Sequence, residues 1–417
     1  MNQSPDHRRS RAALSPITTT QIHLRNPWIV AFFAFSYPGF GNVLLHRYFK
    51  AFILILWEIF INHQGNVNLG IMYTLQGQFA QAKDVVDERW LMLYVGIYMY
   101  AIWDSYRSTI DINKLYILAD REDAPLSSLK MGPAGVNYLD KKNPWVAFAW
   151  SAIVPGLGQL YVHKLILGFF IFLYTLAICY FSKLPLAIQY SMTGDFALAK
   201  EVVDMQWLLY LPSIYIFILY DAYVSAVEQN KLFEKEQSKF LRQNYQNPGF
   251  IMPEKDDKAM YVIATFEQNI FLEMAITALE QKGIAKDSMF AIPIDKRTEP
   301  RRLFDSIHRA DGFSMLDLAA ILGTCFMLLG AIYGYELKWG PILWGIIGAV
   351  SGFAAGFLIK LLLIKKNKSG VKYITSEVVL MVRCEVHQFE SVEKTLWDNT
   401  ALGISKVKHL EHRGLNG

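Results

Sequence analysis

Asn26-Pro27-Trp28 recurs as Asn143-Pro144-Trp145, and Pro38-Gly39-Phe40-Gly41 recurs as Pro155-Gly156-Leu157-Gly158. Further along, His46-Arg47 recurs as His163-Lys164, and Asp104-Ser105-Tyr106 as Asp221-Ala222-Tyr223. Every pair has the same offset, 143 − 26 = 117, without insertion or deletion between residues 26 and 106. About a third of the paired positions are identical, so the segment is a tandem duplication, and its architecture is read once and applied twice.

Composition sets the medium. Hydrophobic residues make up 53 % of the 417-residue chain and aromatics 14 %, and mean hydropathy is +0.21, which places it with membrane proteins. The net charge of +4 is mild. Basic residues gather at the edges of apolar runs, a pattern of membrane orientation rather than nucleic-acid binding. Residues 1–25 are polar and basic, with no apolar core or small-residue cleavage site, and do not read as a secretory signal. Cys179, Cys325 and Cys384 are scattered without metal or disulfide spacing, so no metal and no cofactor is expected.

Each repeat holds three apolar stretches, roughly 27–45, 49–62 and 90–106, then 144–162, 165–181 and 207–224. Pro-Gly interrupts the first stretch of each copy. Proline removes a backbone donor and clashes with the preceding turn, and glycine admits a turn closed to other residues. Pro27 to Tyr37 at ~1.5 Å per residue reaches about half of a ~30 Å hydrocarbon core. A re-entrant hairpin is therefore expected, with one kinked spanning helix as the alternative. Arg25 precedes the stretch and Arg47 and Lys50 follow it; Lys141, Lys142 and Lys164 do the same in the second copy. Both ends then face the cytoplasm, and the copies share one orientation instead of being inverted.

The loop before the third stretch is the most alike part of the copies. Phe79, Ala82, Val86 and Trp90 are spaced as one helix face, which predicts an amphipathic helix on the outer interface. A paired binding surface made by Lys83, Asp87, Trp90, Lys200, Asp204 and Trp207 is the sharper alternative. Asp104 and Asp221 read as helix-end anchors beside a basic partner, with ion coupling as the functional alternative. His46 and His163 read as headgroup contacts in a basic turn.

Pro155-Gly156-Leu157-Gly158-Gln159-Leu160-Tyr161, with Lys164 and Gly168 beyond it, is similar to the signature of the two-transmembrane-domain family and its small bacterial relatives. That family typically carries Pro-Gly-x-Gly-Gln-x-Tyr, a basic residue before the second helix, and an acid ending the last helix; Asp104 and Asp221 stand there. The first copy departs from it, with Asn42 for Gln, Leu44 for Tyr and Ala51 for Gly. The resemblance covers roughly half of the chain and implies no enzymatic activity. The candidate membrane motif is therefore Pro38, Gly39, Gly41, His46 and Asp104 with Pro155, Gly156, Gly158, Gln159, Tyr161, His163 and Asp221.

The last third changes pattern. Glu228 to Arg242 reads as an exposed helix broken at Asn247-Pro248-Gly249. Strand, helix and strand are expected over Met260–Phe266, Ile270–Gln281 and Ser288–Ile294. An apolar hairpin follows, then strand, helix and strand over Glu377–Val386, Ser391–Leu402 and Lys406–Leu410. Neither half buries a sheet face alone; joined, they make a ferredoxin-like sandwich. Gly345, Gly348, Gly352 and Gly356 lie in the second hairpin helix, the last three at a spacing that packs helices backbone to backbone, with Gly330 and Gly334 opposite. This combination resembles the bacterial general-stress-protein family in which a glycine-zipper hairpin splits an α/β domain.

The expected fold is a polytopic α-helical membrane protein with tandem repeated modules, plus a cytoplasmic α+β ferredoxin-like domain interrupted by a transmembrane hairpin. The expected divisions are a basic tail 1–25, repeat one 26–107, a linker 108–142, repeat two 143–224 and a charged linker 225–258. The domain halves follow at 259–295 and 372–412, around a hairpin at 313–364. The expected role is a non-enzymatic scaffold, sensor or assembly protein of the bacterial inner membrane, with both termini cytoplasmic and, from the second resemblance, a link to stress. Its expected partners are membrane lipids, a second copy or another membrane protein, and no nucleic acid. The alternatives are an ion-coupled channel or transporter and a lipid-modifying enzyme using His46 or His163.

Overall fold

The computed structural model describes residues 9–127, 129–133, 135–247, 250, 260–294, 316–367 and 377–407. The chain is mostly helical with small sheets. It divides into two compact units: Met1–Tyr138, Lys142–Glu228 and Arg301–Lys368 form the first, and Leu139–Lys141, Gln229–Pro300 and Ser369–Gly417 the second.

The first unit opens with a short hairpin, β1 (Ala12–Leu14) and β2 (Thr19–Gln21). Repeat one follows as α1 (Pro27–Ser36), α2 (Phe40–Leu44), α3 (Tyr48–Gly65), α4 (Val67–Leu75), α5 (Phe79–Val85) and α6 (Glu88–Glu122). After a second hairpin, β3 (Leu129–Gly132) with β4 (Gly135–Tyr138), repeat two runs through α7 (Pro144–Ile153), α8 (Leu157–Tyr161), α9 (Leu165–Phe181), α10 (Leu184–Thr193), α11 (Phe196–Val202), α12 (Met205–Leu208) and the start of α13 (Leu211–Asn244), whose residues from Gln229 on are counted with the second unit.

The duplication persists to the dihedral angle. Gly39, His46, Asn66 and Gly77 have positive φ, and so do Gly156, His163, Lys183 and Gly194, each 117 residues on. The caps repeat too. Asn26 and Asn143 accept hydrogen bonds from the Trp28 and Trp145 backbone N–H, with Pro at the first helical turn. Trp28 meets the Tyr106 ring edge-on at 5.1 Å, and Trp145 meets Tyr223 at the same distance.

The chain reverses at each Pro-Gly. Gly39 and Gly156 take φ of 102° and 99°, a left-handed conformation that a Cβ would strain. A Cβ on Gly41 would stand 2.9 Å from the Val30 carbonyl, and one on Gly158 would collide with that of Ala147. Eleven residues of continuous helix would separate these positions by ~16 Å. So α2 folds back on α1, and α8 on α7.

The expected single helix from Phe79 to Trp90 is two helices instead. The break falls at Val86, because the Asp87 carboxylate caps the next helix through the Arg89 and Trp90 N–H groups. Asp204 repeats this with Gln206 and Trp207. The local cap overrides the apolar periodicity. Glu228 to Arg242 is likewise no exposed helix. It continues α13, and Glu228, Leu232, Phe233 and Leu241 are buried.

Among the described residues, three helical stretches are long and apolar enough to cross a membrane: Met205–Asn244, Asp317–Glu336 and Gly340–Leu363. A fourth joins if α9 and α10, bent by 62°, count as one broken span. The α3 and α6 helices of repeat one are not among them; α3 carries Lys50 and Glu58, and α6 continues into a polar segment.

The last two elements of the first unit are the helices Asp317–Glu336 and Gly340–Asn367. A Cβ on Gly348, Gly352 or Gly356 would strike the carbonyls of Phe326, Leu322 or Leu318. Gly330 and Gly334 press equally on Trp344. Gly345 is different: its Cβ would sit 3.6 Å from Ala331 Cβ, an ordinary contact. The beginning of the expected hairpin, 313–315, lies outside the described residues.

The second unit holds one four-stranded antiparallel sheet. Its strands are β5 (Met260–Glu267), β6 (Met289–Pro293), β7 (Glu377–Cys384) and β8 (Gly403–Val407), in the spatial order β6-β7-β5-β8. Alternate residues Val262, Ala264, Phe266, Leu380 and Val382 face a core shared with helices Ile270–Gln281 and Phe389–Asp398. Asn269 caps the first of these helices. Tyr245 and Gln246 hydrogen-bond Ala291 and so cover the β6 edge. Residues 372–376 and 408–412 of the expected second half, and Pro248-Gly249, lie outside the described residues.

Candidate functional site

The Pro-Gly turns bring one polar constellation together twice. In repeat two, the reversal sets Gln159 and Lys164 beside α13. Lys164 Nζ lies 3.2 Å from Asp221 Oδ1 and donates to Ser225 Oγ at 2.6 Å. Gln159 Nε2 donates to Asp221 Oδ2 at 3.1 Å and to the Ile218 carbonyl at 3.0 Å. Lys164 and Asp221 are 2 % and 1 % exposed, so the pair is closed from solvent.

Repeat one holds the equivalent residues Asn42, Arg47, Asp104 and Ser108. Arg47 donates to Ser108 Oγ and stands 3.9 Å from Asp104, while Lys50 Nζ approaches Asp104 Oδ1 to 2.6 Å. Arg47 is 42 % exposed. Asn42 is fully buried, and neither its Oδ1 nor its Nδ2 has a partner. Its side chain is one methylene shorter than Gln159, which bonds both the acid and a carbonyl one turn before it. The first constellation is open and incomplete; the second is closed and satisfied.

Asp104 and Asp221 do not end their helices as expected. The α6 helix runs on to Glu122 and α13 to Asn244, so each acid sits mid-helix and meets its cation from the neighbouring turn. The signature glycines pack backbone on backbone: a Cβ on Gly39 would be 2.8 Å from the Ala51 carbonyl, and one on Gly156 2.5 Å from that of Gly168. Pro38 and Pro155 open these turns. Tyr161 OH accepts from the Asn143 N–H at 3.2 Å, tying the motif to the start of α7.

His46 Nδ1 is 2.9 Å from Tyr48 OH. His163 Nε2 is 2.9 Å from the Pro16 carbonyl, and Thr19 N–H donates to the His163 carbonyl. The residues around the first hairpin therefore cover the basic turn of repeat two. Arg25, expected as a membrane flank, is buried and pairs with Glu228 at 2.8 Å. Among the described residues no group of His, Cys, Asp and Glu is arranged to hold a metal ion.

On the other side of the repeats, Lys83 lines an apolar groove of about 480 Å³ with Val67, Ile71, Thr74, Val86 and Leu91. In repeat two Lys200 instead approaches Gly340, where the second helix of the hairpin begins. The equivalent Leu184, Val203 and Leu208 join a buried cluster with Ala331, Ile332 and Ile342. Asp87 and Asp204 are exposed caps, and Trp90 and Trp207 are half-buried beside Phe60 and Phe181. The six residues of the expected outer surface are thus split between helix caps, packing and the groove of repeat one.

One cluster has no counterpart in the sequence reading. Glu58, inside the apolar α3, is 2 % exposed. Its Oε1 accepts from Asn62 Nδ2 at 2.9 Å and Tyr94 OH at 3.1 Å. Asn62 Oδ1 accepts from Gln206 Nε2 of repeat two at 2.9 Å and from Asn68 N–H at 3.1 Å. Asn68 Nδ2 donates to the Gln206 carbonyl at 2.8 Å. The signal was a lone acid in an apolar helix.

No protein-family model, curated protein or solved structure matches this chain.

Proposed function

We propose that this chain is a multi-pass membrane scaffold with no enzymatic role, built from two modules in one orientation and a ferredoxin-like α+β domain. The observation that carries the membrane reading is the placement of exposed apolar side chains. Phe49, Ile53, Leu56 and Phe60 follow one face of α3, and Phe169, Leu173, Leu176 and Tyr180 follow one face of α9. Such continuous stripes exceed what water tolerates on a folded chain, and lipid satisfies them. The turns at Pro38 and Pro155 fit a re-entrant reading, because non-helical backbone at membrane depth has to be covered by protein, and Tyr37, Phe40 and Gly158 are buried. The strand order and directions of the second unit support the ferredoxin-like reading.

The scaffold reading rests on how the signature residues are used. Gly39, Gly41, Gly156, Gly158, Gln159 and Lys164 hold the modules' own helices together. Asp104 and Asp221 both face a cation, which favours anchoring over ion coupling.

Two measurements test the proposal. In a cysteine-free background, single cysteines at Asp84 and Lys338 are expected to react with an impermeant thiol reagent from outside, and those at Arg47 and Lys130 only from the cytoplasm. Labelling of the copies from opposite sides overturns the shared orientation. Crosslinking in native membranes is expected to trap a second copy or another membrane protein; a strictly monomeric, partner-free chain overturns the scaffold.

A further inference from the structure

We propose that Glu58 is a proton-binding site at the seam between the two repeats. This goes beyond the scaffold reading and does not depend on it. Glu58 Oε2 is buried and has no hydrogen-bond partner, while Oε1 accepts from Asn62 and Tyr94. Its described partners are thus two neutral donors on one oxygen, and the other oxygen is bare.

The groups around it are neutral phenols. Glu58 acts electrostatically on Tyr37 at the end of α1, Tyr94 and Tyr98 on α6, Tyr174 on α9, and Tyr210 ahead of α13. Asn62, Asn68 and Gln206 complete the surroundings from α3, α4 and α12. A carboxylate here is a buried charge facing no ammonium or guanidinium among these partners, a costly arrangement in an apolar interior. A proton arriving on Oε2 forms one O–H bond and removes the charge; its departure restores the carboxylate, and no electrons change hands.

The duplication makes the site singular. The position equivalent to Glu58 in repeat two is Thr175, also buried, with its hydroxyl lacking a partner. A threonine hydroxyl does not titrate, so one copy alone carries the exchangeable proton. Because Asn62 donates to Glu58 and accepts from Gln206, the charge at Glu58 is linked to the junction between repeats through a single amide.

The test uses the full chain in lipid vesicles. Infrared difference spectra between about pH 5 and about pH 9 are expected to contain the C=O stretch of a protonated buried carboxyl that titrates and disappears in Glu58→Gln. The glutamine keeps the carbonyl that accepts from Asn62 and Tyr94, so the variant is expected to fold, as judged by its circular dichroism. Dicyclohexylcarbodiimide, which adds to the protonated acid, is expected to label Glu58 more at low pH. If wild type and Glu58→Gln give the same carboxyl difference spectrum, the site binds no exchangeable proton and the proposal fails, whatever the carbodiimide does. Loss of fold in Glu58→Gln is answered by Glu58→Asp, whose band is expected to shift rather than vanish; an unshifted band overturns the assignment.

Discussion

Lys164 Nζ lies 3.2 Å from Asp221 Oδ1 with both side chains closed from solvent, whereas the matching acid of repeat one, Asp104, is also buried but takes a half-buried cation, Lys50, at 2.6 Å. The duplicated aspartate is thus buried in both copies, but its cation is fully enclosed only in repeat two. Removing one partner of a fully buried pair costs about 3–5 kcal/mol because a bare charge remains, and the cost falls where the cation left behind can reach solvent, as Lys50 can. Asp221→Asn is therefore expected to lower stability more than Asp104→Asn, because Lys164 is left enclosed and Lys50 is not, read as thermal unfolding in detergent. Lys164→Met combined with Asp221→Leu is expected to recover much of the loss. Equal effects of the two single variants would contradict the different burial.

Gln159 reaches both Asp221 and the Ile218 carbonyl, and Asn42 reaches neither equivalent. Shortening Gln159→Asn leaves buried polar atoms unpaired at about 1–3 kcal/mol. Asn42→Gln is expected to have the opposite sign, a gain of about 1 kcal/mol. The same detergent unfolding assay reads both, and a stabilising Gln159→Asn would sink the account of the asymmetry.

The hairpin glycines are not equivalent. Gly352→Ala places a methyl against the Leu322 carbonyl and the Phe326 side chain and is expected to destabilise by about 1–3 kcal/mol through overpacking. Gly345→Ala meets only an ordinary contact and is expected to be neutral or stabilising by up to about 1 kcal/mol, the helix-propensity gain. Comparing the two melting curves checks the difference, and a neutral Gly352→Ala would argue against close packing there.

Cys384 faces the core of the second unit, and burial pushes its thiol above the ordinary range. Alkylation is expected to stay slow past the free-thiol pKa of about 8.5 and become fast only in denaturant. The linkage sign follows: the folded state retains a proton that the unfolded thiol has lost, so stability falls as pH rises above the unfolded value. Cys384→Ala is expected to remove that part of the slope. Rapid alkylation of Cys384 itself in the folded chain at pH 8, read on its peptide apart from those of Cys179 and Cys325, would contradict the burial.

Much of this was legible before the fold. The offset of 117 located both turns, and the glycine spacing located the face that packs in the hairpin, since both depend on local backbone needs. Apolar periodicity failed where a stronger local feature intervened: Asp87 and Asp204 start new helices inside an otherwise continuous pattern. Glu228 to Arg242 reads as solvent-facing from its charge alone, but Arg25, 203 residues away, is the partner of Glu228. The Glu58 cluster was missed for the same reason, as Gln206 lies 144 residues from Asn62.

The sequence by itself determined the duplication, the reversals at Pro38 and Pro155, the strand and helix order of the last third, and the glycine stripe. These follow from short-range sterics, hydrogen-bond loss at proline and side-chain period, all written within a few residues. Only the tertiary structure decided that the two copies of one module have different interiors: Lys164 closed and Arg47 open, Gln159 satisfied and Asn42 bare, Glu58 buried without a cation. Burial and pairing depend on which distant segment arrives, and a charge in low dielectric is either matched there or left exposed to its full desolvation cost.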